Sequence, residues 1–311
     1  MKIVAVESIG MKPVQEQAFR KHFGDQGHEF VFYPDRNEKN EVLAERMKDA
    51  EIVIISNIRL EKSVLEQCPK LKLLAVAFTG LDHIDLEYCK SRGIEVMNAA
   101  GYATVAVAEL AIGLMLDVYR KVTELDVTTR RGGVRGSFLG RELSGKCVGI
   151  IGTGAIGTHT ARLAKAFGCK VVAWSRTQKP EVAALGIEYV SLEELLRVSD
   201  IVSLHVPLTA ETRHLLDAEK LALCKSGAVI INTARGAVVD NAAMAKLLAE
   251  GKLAGAGVDV FESEPPVAAD HPLLSAPNVV LTPHVGYASY ESFAARIDIV
   301  RDNIDRWLKG E

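Results

Sequence analysis

The chain has 311 residues, of which 48% are hydrophobic and 25% are charged. This is the composition of a globular protein, and it excludes disordered, collagen-like and coiled-coil chains. The length is sufficient for two domains of ordinary size. A formal net charge of −3 leaves no basic surplus with which to bind nucleic acid or an anionic membrane.

The cysteines and the lengths of the apolar segments indicate the cellular compartment in which the protein is expected. The five cysteines form no C-x-x-C pair and are scattered along the chain: Cys68, Cys89, Cys147, Cys169 and Cys224. An odd, irregular set favours neither a disulfide framework nor a metal site and is typical of a reducing compartment. The best apolar segment, 105–116, is interrupted by Glu109 and falls short of the roughly 18 residues of a membrane span. We therefore expect a cytoplasmic protein without membrane contact.

Short apolar runs rich in Val and Ile alternate with amphipathic stretches along nearly the whole chain. Uniformly apolar strands are typical of a parallel sheet that is covered by helices on both faces. The first series of predicted strands comprises Ile3–Val6, Phe30–Tyr33, Ile52–Ser56, Leu73–Ala77 and Ile94–Met97. The second series comprises Cys147–Ile151, Val171–Trp174, Ile201–Leu204, Ala228–Asn232, Gly255–Val258 and Val279–Leu281.

Helices are predicted between these strands, for example over Thr158–Phe167 and Asn241–Glu250. One long helix is expected over Val105–Thr129 and a last one over about Tyr290–Leu308. Repeated β-α-β units predict a doubly wound α/β fold with right-handed crossovers. Because there are two series of strands, we expect two such domains, with the long helix near their boundary.

A glycine-rich turn follows the predicted strand at 147–151 and opens a helix. Its residues are Gly152, Thr153, Gly154, Ala155, Ile156 and Gly157. In a dinucleotide fingerprint the first glycine permits a tight turn, the second admits the pyrophosphate and the third allows close helix packing. The free N–H groups at the helix start attract phosphate. G-x-G-x-x-G alone is a weak signal, but its place between a strand and a helix favours nucleotide binding.

The next strand ends at Trp174 and is followed by Ser175, Arg176 and Thr177. Sites specific for NAD carry an acid near this position, which accepts a hydrogen bond from the ribose 2′-hydroxyl. Serine and arginine would instead bind a 2′-phosphate through a hydrogen bond and a charge-assisted pair. We therefore favour NADP(H) as the cofactor, with NAD(H) as the alternative. If Arg176 binds no phosphate, it is simply a solvated arginine in a loop.

Polar residues also follow the later strands at their carboxyl ends, where open parallel sheets bind ligands. They are His205, Pro207, Thr233, Ala234, Arg235, Asp259, Thr282 and His284. A nicotinamide transfers a hydride without the accompanying proton. An imidazole can give or take that proton near neutral pH, and a guanidinium can bind a substrate carboxylate through two hydrogen bonds. The joint presence of Arg235, Glu264 and His284 therefore favours a dehydrogenase site.

Each of these residues also has a structural interpretation. A histidine that follows a strand is more often a structural hydrogen-bond partner than a catalyst, and we expect His205 to be such a partner. Arg235 could cap a helix, and Glu262 could be a surface charge. The histidines other than His205 and His284, among them His271, are expected to be solvated.

Several spaced motifs, in the same order, resemble those of the D-isomer-specific 2-hydroxyacid dehydrogenases over essentially the whole chain. The matching segments are Gly149–Gly157, His205–Thr209, Asn232–Gly236, Gly257–Glu264 and Thr282–Gly286, with Asn98–Glu109 as a supporting match. The resemblance implies an NAD(P)-dependent enzyme that reduces a 2-oxo acid to a D-2-hydroxy acid.

Site roles follow from the same resemblance. It implies that Arg235 binds the substrate carboxylate, that His284 is the acid/base and that Glu264 pairs with His284. Implied cofactor contacts, beyond the glycine-rich turn and 175–177, are Thr104, His205, Pro207, Thr233, Ala234 and Asp259. Asp259 would hold the nicotinamide carboxamide. Implied substrate contacts come from the loop Ser56–Arg59 and from Phe78, Thr79 and Gly80, where backbone N–H groups of the last two would bind the carboxylate.

The resemblance also implies a discontinuous flavodoxin-like substrate domain, 1–99 with 286–311. A Rossmann cofactor domain, 100–285, is inserted into it. Members of the family are usually homodimers, joined here through about Val105–Arg131.

Departures from the common pattern narrow the activity. Phe78 stands where many members have glycine, which leaves the substrate size open. The segment 98–104 is similar to the Tyr variant of hydroxypyruvate reductases, and Ser175-Arg176 is similar to NADPH-using glyoxylate/hydroxypyruvate reductases. Glu264 in place of Gln disfavours a formate dehydrogenase. The alternative is a corepressor-like protein that senses NAD(H) without physiologically important turnover, and the complete catalytic set counts against it.

Overall fold

A computed structural model describes residues 1–263 and 266–310. The chain divides into two compact units, which are referred to below as unit 1 and unit 2. Unit 1 contains Met1–Ala103 and Ser289–Glu311, and unit 2 contains Thr104–Ala288. The sequence placed these boundaries at 99/100 and 285/286, a few residues before the helices that begin at Thr104 and Tyr290.

Unit 1 is built on a five-stranded parallel sheet. Its strands are β1 (Lys2–Ala5), β2 (Glu29–Phe32), β3 (Ile52–Ile55), β4 (Leu73–Val76) and β5 (Glu95–Asn98). Its helices are α1 (Pro13–Asp25), α2 (Asn40–Met47), α3 (Lys62–Leu65), α4 (Leu86–Ser91) and, at the end of the chain, α12 (Tyr290–Lys309). The strand order β2-β1-β3-β4-β5 is flavodoxin-like and reverses between β1 and β3.

Unit 2 contains a seven-stranded parallel sheet. Its strands are β6 (Cys147–Ile151), β7 (Lys170–Trp174), β8 (Glu188–Tyr189), β9 (Ile201–Leu204), β10 (Ala228–Asn232), β11 (Leu253–Val258) and β12 (Val279–Leu281). Its helices are α5 (Thr104–Arg120), α6 (Val122–Arg130), α7 (Ala155–Ala166), α8 (Pro180–Ala183), α9 (Leu192–Val198), α10 (Ala218–Leu223) and α11 (Asn241–Ala249). The order β12-β11-β10-β9-β6-β7-β8 is Rossmann-like, and it reverses between β6 and β9.

Both faces of the second sheet are buried. Along β10, Ile230 packs into an apolar cluster with helices α9 to α11, whereas Val229 and Ile231 pack into a second cluster with α5 and α7. Strands covered on both faces need apolar side chains at successive positions, which explains the absence of polar alternation. The predicted doubly wound α/β fold with two parallel sheets is confirmed.

The structure differs from the predicted elements at two places. The single helix expected over Val105–Thr129 is wrong, because the backbone of Lys121 is left-handed (φ 50°) and separates α5 from α6. The Asp117 carboxylate accepts a 2.9 Å hydrogen bond from the Thr123 N–H and so starts the second helix. The two-residue strand β8 was not predicted, because two residues carry no periodic signal.

The cysteines are free thiols in the structure. Burial raises the pKa of Cys68 and of Cys224 to about 11, so neither thiol is a ready nucleophile. Within residues 1–263 and 266–310, no helix combines the length and the apolar character that crossing a bilayer requires.

Candidate active site

Six neighbouring strands of unit 2 end at the same level. The last paired residues of β7, β6, β9, β10, β11 and β12 stand side by side in the order Trp174, Ile151, Leu204, Asn232, Val258 and Leu281. The next residue of each strand extends the row along the carboxyl edge as Ser175, Gly152, His205, Thr233, Asp259 and Thr282. At about 4.8 Å between strands, this edge is about 24 Å long. Five of these six residues were predicted from the sequence as cofactor contacts.

The glycine-rich turn lies at the point where the strand order reverses. A Cβ on Gly152 would lie 2.6 Å from the His205 carbonyl oxygen, and one on Gly157 would lie 1.9 Å from the Gly152 carbonyl oxygen. A Cβ on Gly154 would meet no atom of the described chain within 4 Å. The first and third glycines are therefore required by the protein's own packing. The second borders open space at the start of α7, where Ala155 and Ile156 present helix N–H groups.

The loop after β7 is tied to this turn by Tyr189. The Tyr189 Oη shares a 2.8 Å hydrogen bond with Thr153 Oγ1 and accepts a 3.1 Å bond from the Lys179 N–H. Sequence reasoning missed Tyr189, which lies on the unpredicted strand β8. Its phenol fixes the distance between the turn and the segment 175–179.

Ser175 is half-buried, and Arg176 and Thr177 are exposed. A hydrogen bond from Thr209 and the positive charge of Arg176 lower the pKa of the Glu211 carboxyl. The Arg176 side chain is thus an exposed positive charge that acts on Glu211.

His205 is neutral at physiological pH. Burial lowers the pKa of His205 to about 3, and its Nε2 shares a 2.9 Å hydrogen bond with Ser203 Oγ. An imidazole with this pKa is a poor proton donor near neutrality. Pro207 is exposed, and its carbonyl accepts a 2.6 Å bond from Thr212 Oγ1.

Asp259 holds the turn that carries His284. The Asp259 side chain is 1% exposed. Its Oδ1 accepts hydrogen bonds from Thr282 Oγ1 (2.5 Å) and the Val285 N–H (2.9 Å), and its Oδ2 accepts from the Gly286 N–H (2.8 Å). Its backbone carbonyl accepts a 2.8 Å bond from the His284 N–H. Asp259 therefore contacts the turn on both sides of His284.

His284 has a left-handed backbone, with φ 55°. This conformation costs a non-glycine residue roughly 1–2 kcal/mol. Hydrogen bonds to a charged group contribute roughly 1.5–3 kcal/mol each, so the bonds of Asp259 outweigh that cost. The His284 ring is half-buried and meets the Tyr287 ring edge-on, with 5.6 Å between centroids. Backbone strain of this kind is concentrated at functional sites.

Arg235 follows β10, the strand that pairs with β11. The Asn232 Nδ2 donates to the Arg235 carbonyl (2.9 Å), and the Asn232 Oδ1 accepts from the Ala234 N–H (3.0 Å). The Arg235 Nη1 donates to the Ala234 carbonyl at 2.7 Å. A Cβ on Gly236 would lie 1.9 Å from the Phe261 carbonyl carbon, so the chain after Arg235 packs directly on the backbone that follows β11.

The third predicted catalytic residue, Glu264, lies outside the described residues. Shortly before it, Glu262 Oε2 and His271 Nε2 form a 2.9 Å hydrogen bond. Burial alone would raise the pKa of Glu262, but the bond with His271 and a backbone bond outweigh it and lower the pKa. The His271 side chain is 12% exposed and packs against Phe261, so the expectation of a solvated His271 is wrong.

The hydroxyl of Thr233, the residue that follows β10, is buried. Within the described part of the chain its Oγ1 makes no hydrogen bond, although the residue is only 9% exposed. An unsatisfied buried hydroxyl costs roughly 1–3 kcal/mol, and a ligand amide could supply the missing bond. Together with the open space at Gly154 and the N–H groups of α7, this fits a nicotinamide dinucleotide.

The remaining predicted contacts lie on two further elements. Thr104 begins α5, whose Val107 and Leu110 side chains approach the Gly286 position to about 3.5 Å. Phe78, Thr79 and Gly80 follow β4 in unit 1. The Phe78 ring is 7% exposed, with its centroid 6.3 Å from Tyr102 and 6.5 Å from His83.

Comparison with known proteins assigns the chain to a family. Residues 112–286 match the family described as D-isomer specific 2-hydroxyacid dehydrogenase, NAD binding domain. A glyoxylate reductase of Thermococcus litoralis is 44% identical over 280 residues, which cover 87% of this chain and 84% of that protein.

Solved structures agree with this assignment. An acyclic imino acid reductase in complex with NADPH and D-Arg has a TM-score of 0.90 and 32% identity, over 100% of this chain and 98% of that chain. A glyoxylate reductase from Paecilomyes thermophila has a TM-score of 0.88 and 30% identity, over 98% and 94%. The resemblance inferred from the motifs is confirmed.

The glycine-rich turn provides a matched pair of variants. Gly154→Ala is expected to fold with wild-type stability and to weaken NADPH binding at least about tenfold, which is about 1.4 kcal/mol, because its methyl group enters the open space. Gly157→Ala is expected to lose about 1–3 kcal/mol of folding stability through overpacking. Chemical denaturation and fluorescence titration with NADPH measure both effects. Wild-type affinity in a folded Gly154→Ala protein would remove the turn from the phosphate site.

Proposed function

Because the chain belongs to the D-isomer-specific 2-hydroxyacid dehydrogenase family and is a nicotinamide-dependent oxidoreductase, we propose that it reduces a small 2-oxo acid to a D-2-hydroxy acid. Glyoxylate and hydroxypyruvate are the favoured substrates. The observation that carries the proposal is the Asp259 network, which fixes the His284 turn after β12, with one strand, β11, between it and the strand that leads to Arg235.

In this proposal each side chain has one task. The Arg235 guanidinium binds the substrate carboxylate through two hydrogen bonds. The His284 imidazolium donates its proton to the keto oxygen, which becomes the hydroxyl of the product, and takes it back in the reverse reaction. Glu264 pairs with His284. When bound, the nicotinamide cofactor supplies the hydride that the keto carbon receives.

Cofactor binding is assigned to the carboxyl edge of the second sheet. The pyrophosphate is assigned to Gly152, Gly154, Ala155, Ile156 and Gly157, the adenosine ribose to Ser175, Arg176 and Thr177, and the nicotinamide to Thr104, Thr233, Ala234 and Asp259, with His205 and Pro207 beside the cofactor. A carboxylate has about four acceptor positions. Asp259 uses three of them within the described chain, which leaves one for a carboxamide N–H.

A small substrate is supported by the sequence and by the relatives. Several proteins about 40% identical to this chain are named glyoxylate reductases. The bulk of the Phe78 ring, packed beside Tyr102 and His83, fills volume that a glycine would leave open. We propose that the Thr79 and Gly80 N–H groups bind a substrate carboxylate.

Loss of the proposed acid should abolish turnover and leave cofactor binding intact. We expect the wild type to oxidise NADPH with glyoxylate or hydroxypyruvate and His284→Ala to lower kcat by about 10²–10⁴-fold, the usual contribution of a general acid. Absorbance at 340 nm with glyoxylate, hydroxypyruvate, pyruvate and phenylpyruvate measures this, and NADPH titration checks binding. His28→Ala, at the amino end of β2, is the control.

Other outcomes have definite meanings. Near-normal kcat in His284→Ala would remove His284 from the acid role, and an L-hydroxy acid product would contradict the proposed stereochemistry. Tight NADPH binding without turnover of any acid would favour the sensing alternative. Turnover only after ammonia is added would point to imino acids, the substrates named for the similar reductase structure.

The loop after β7 should decide between the two cofactors. We propose that NADP(H) is preferred, because Ser175 and Arg176 offer a hydrogen bond and a positive charge to a 2′-phosphate. Ser175→Asp combined with Arg176→Ala is expected to shift the NADPH/NADH ratio of kcat/KM toward NADH by at least about tenfold. Arg197→Ala, another exposed arginine of unit 2, is the control. An unchanged ratio in the double variant would defeat the phosphate argument.

A homodimer joined through about Val105–Arg131 is also proposed. Helix α6 spans only nine residues and buries none of them, and helices shorter than about 12 residues are marginal in water without packing. Val122 and Val127 on this helix are 59% and 42% exposed. A second copy of the chain, placed on this face, would provide the packing that α6 lacks.

Charge on this face should separate the copies. Val122→Asp combined with Val127→Asp is expected to convert a dimer into a monomer, because a carboxylate is costly to bury without a partner. Sedimentation velocity measures the mass. Val14→Asp on α1, where the valine is 69% exposed, is the matched control. A monomeric wild type, or a double variant that still dimerises, would rule out this interface.

The cytoplasmic location stays a proposal that rests on the cysteines. All five are free thiols, and four of them are buried. Free thiols at these positions agree with a reducing compartment.

A further inference from the structure

Arg296 lies at the carboxyl edge of the unit 1 sheet. This residue of α12 is only 3% exposed. Its guanidinium donates to the Ile9 carbonyl, to Ser56 Oγ (3.5 Å) and to the Ala77 carbonyl (3.4 Å). The three acceptors follow β1, β3 and β4, which are neighbours in the sheet. One buried cation therefore joins the loops that follow three neighbouring strands, on the edge where such sheets bind ligands.

The guanidinium is itself held in place. It stacks on the Phe293 ring, 4.1 Å from the centroid. The Phe293 ring in turn packs against Gly10, where a Cβ would lie 2.1 Å from the nearest ring carbon. No side chain other than hydrogen fits at that position, and Gly10 also has a left-handed φ of 75°. The first loop is thereby shaped around the Phe293–Arg296 stack.

Glu7 supplies a buried negative charge at the same edge. Its side chain is 1% exposed and accepts hydrogen bonds from the Ser56 N–H (2.8 Å) and from Arg36 Nη1 (2.9 Å). Burial raises the pKa of Glu7, while the Ser56 bond and the charges of Arg36 and Arg296 act in the opposite direction. The Glu7 side chain is thus held by the Ser56 backbone and by Arg36 at the reversal point between β1 and β3.

The turn Ala77–Gly80 has its carbonyl groups engaged. The Phe78 carbonyl accepts from the Ala99 N–H (3.0 Å), and the Thr79 carbonyl accepts from Asn98 Nδ2 (2.7 Å). In a planar trans peptide the N–H points opposite to the preceding carbonyl. Fixing these carbonyls therefore fixes the directions of the Thr79 and Gly80 N–H groups. In the described part of the chain neither of these two N–H groups donates a hydrogen bond.

We propose that Asn98 and Arg296 are positioning residues of the turn 77–80. The Asn98 bond to the Thr79 carbonyl sets the direction of the Gly80 N–H, and the Arg296 bond to the Ala77 carbonyl holds the first peptide of the turn, so that the Thr79 and Gly80 N–H groups can bind the substrate carboxylate. This inference rests on the proposed function. Neither side chain touches the reacting atoms; each acts through a backbone carbonyl. The backbone N–H groups that would bind the substrate carboxylate are thus positioned by one side chain of α12, Arg296, and by the last residue of β5, Asn98.

Two variants test the proposal. Asn98→Ala removes the donor to the Thr79 carbonyl, and Arg296→Lys replaces a planar fork by a single ammonium that cannot reach three acceptors in different directions. For both we expect KM for glyoxylate to rise about tenfold with kcat and the NADPH dissociation constant within about twofold of wild type, the pattern for a lost uniform binding interaction. Arg301→Lys, whose arginine pairs with Asp298 and Asp302 on the surface of α12, should behave as wild type.

Oxamate, a carboxylate inhibitor, provides a readout that is independent of turnover. Its dissociation constant from the NADPH-loaded protein, measured by calorimetry, should rise by the same factor in both variants. If Arg296→Lys fails to fold, Asn98→Ala carries the test. Unchanged glyoxylate KM and oxamate affinity in folded variants would overturn the inference, as would an equal loss of NADPH affinity. A wild type that binds oxamate more tightly than Asn98→Ala but has no turnover would contradict the proposed function and support the inference.

Discussion

The buried carboxylate of Asp259 organises the carboxyl edge of the second sheet, where the proposed acid lies. Its oxygens accept two backbone N–H groups and one hydroxyl from the turn after β12. A buried anion requires such donors, because unpaired burial is costly. In meeting that requirement, the turn adopts a path that keeps His284 in a left-handed conformation. The position of the proposed acid, His284, is thus set by the hydrogen bonds that the Asp259 carboxylate, just after β11, requires.

Parallel pairing explains how distant motifs meet. The paired strands of unit 2 end at the same level, so the residues that follow them form a row along the edge of the sheet. Members of this row are tens of residues apart in the sequence. A buried charge stands at the carboxyl edge in both units: an anion, Asp259, in unit 2, and a cation, Arg296, in unit 1. Each charge binds loop backbone rather than substrate. In the proposed function, the groups that contact substrate are thus held in position by Asp259 and Arg296, which do not contact the substrate themselves.

The sequence predicts those features that depend on local pattern. Buried apolar runs predicted the strands of both sheets, and strand-end positions predicted Thr233, Asp259 and His284. Features created by individual side-chain contacts could not be predicted. The break at Lys121 depends on Asp117, the pair of Glu262 and His271 depends on a folded loop, and the bridge made by Tyr189 depends on β8. No periodicity encodes such contacts, and Glu264 lies outside the described residues.

Hydrogen exchange at the Val285 and Gly286 amides, compared between the wild type and Asp259→Asn, tests the role of Asp259 most directly. In the variant an amide NH₂ group faces N–H donors. Both amides should exchange slowly in the wild type and at least about a hundredfold faster in the variant, equal to about 2.7 kcal/mol, while the amides of β10 and β11 keep their protection. Slow exchange in both proteins, or fast exchange already in the wild type, would show that Asp259 does not hold the turn of His284.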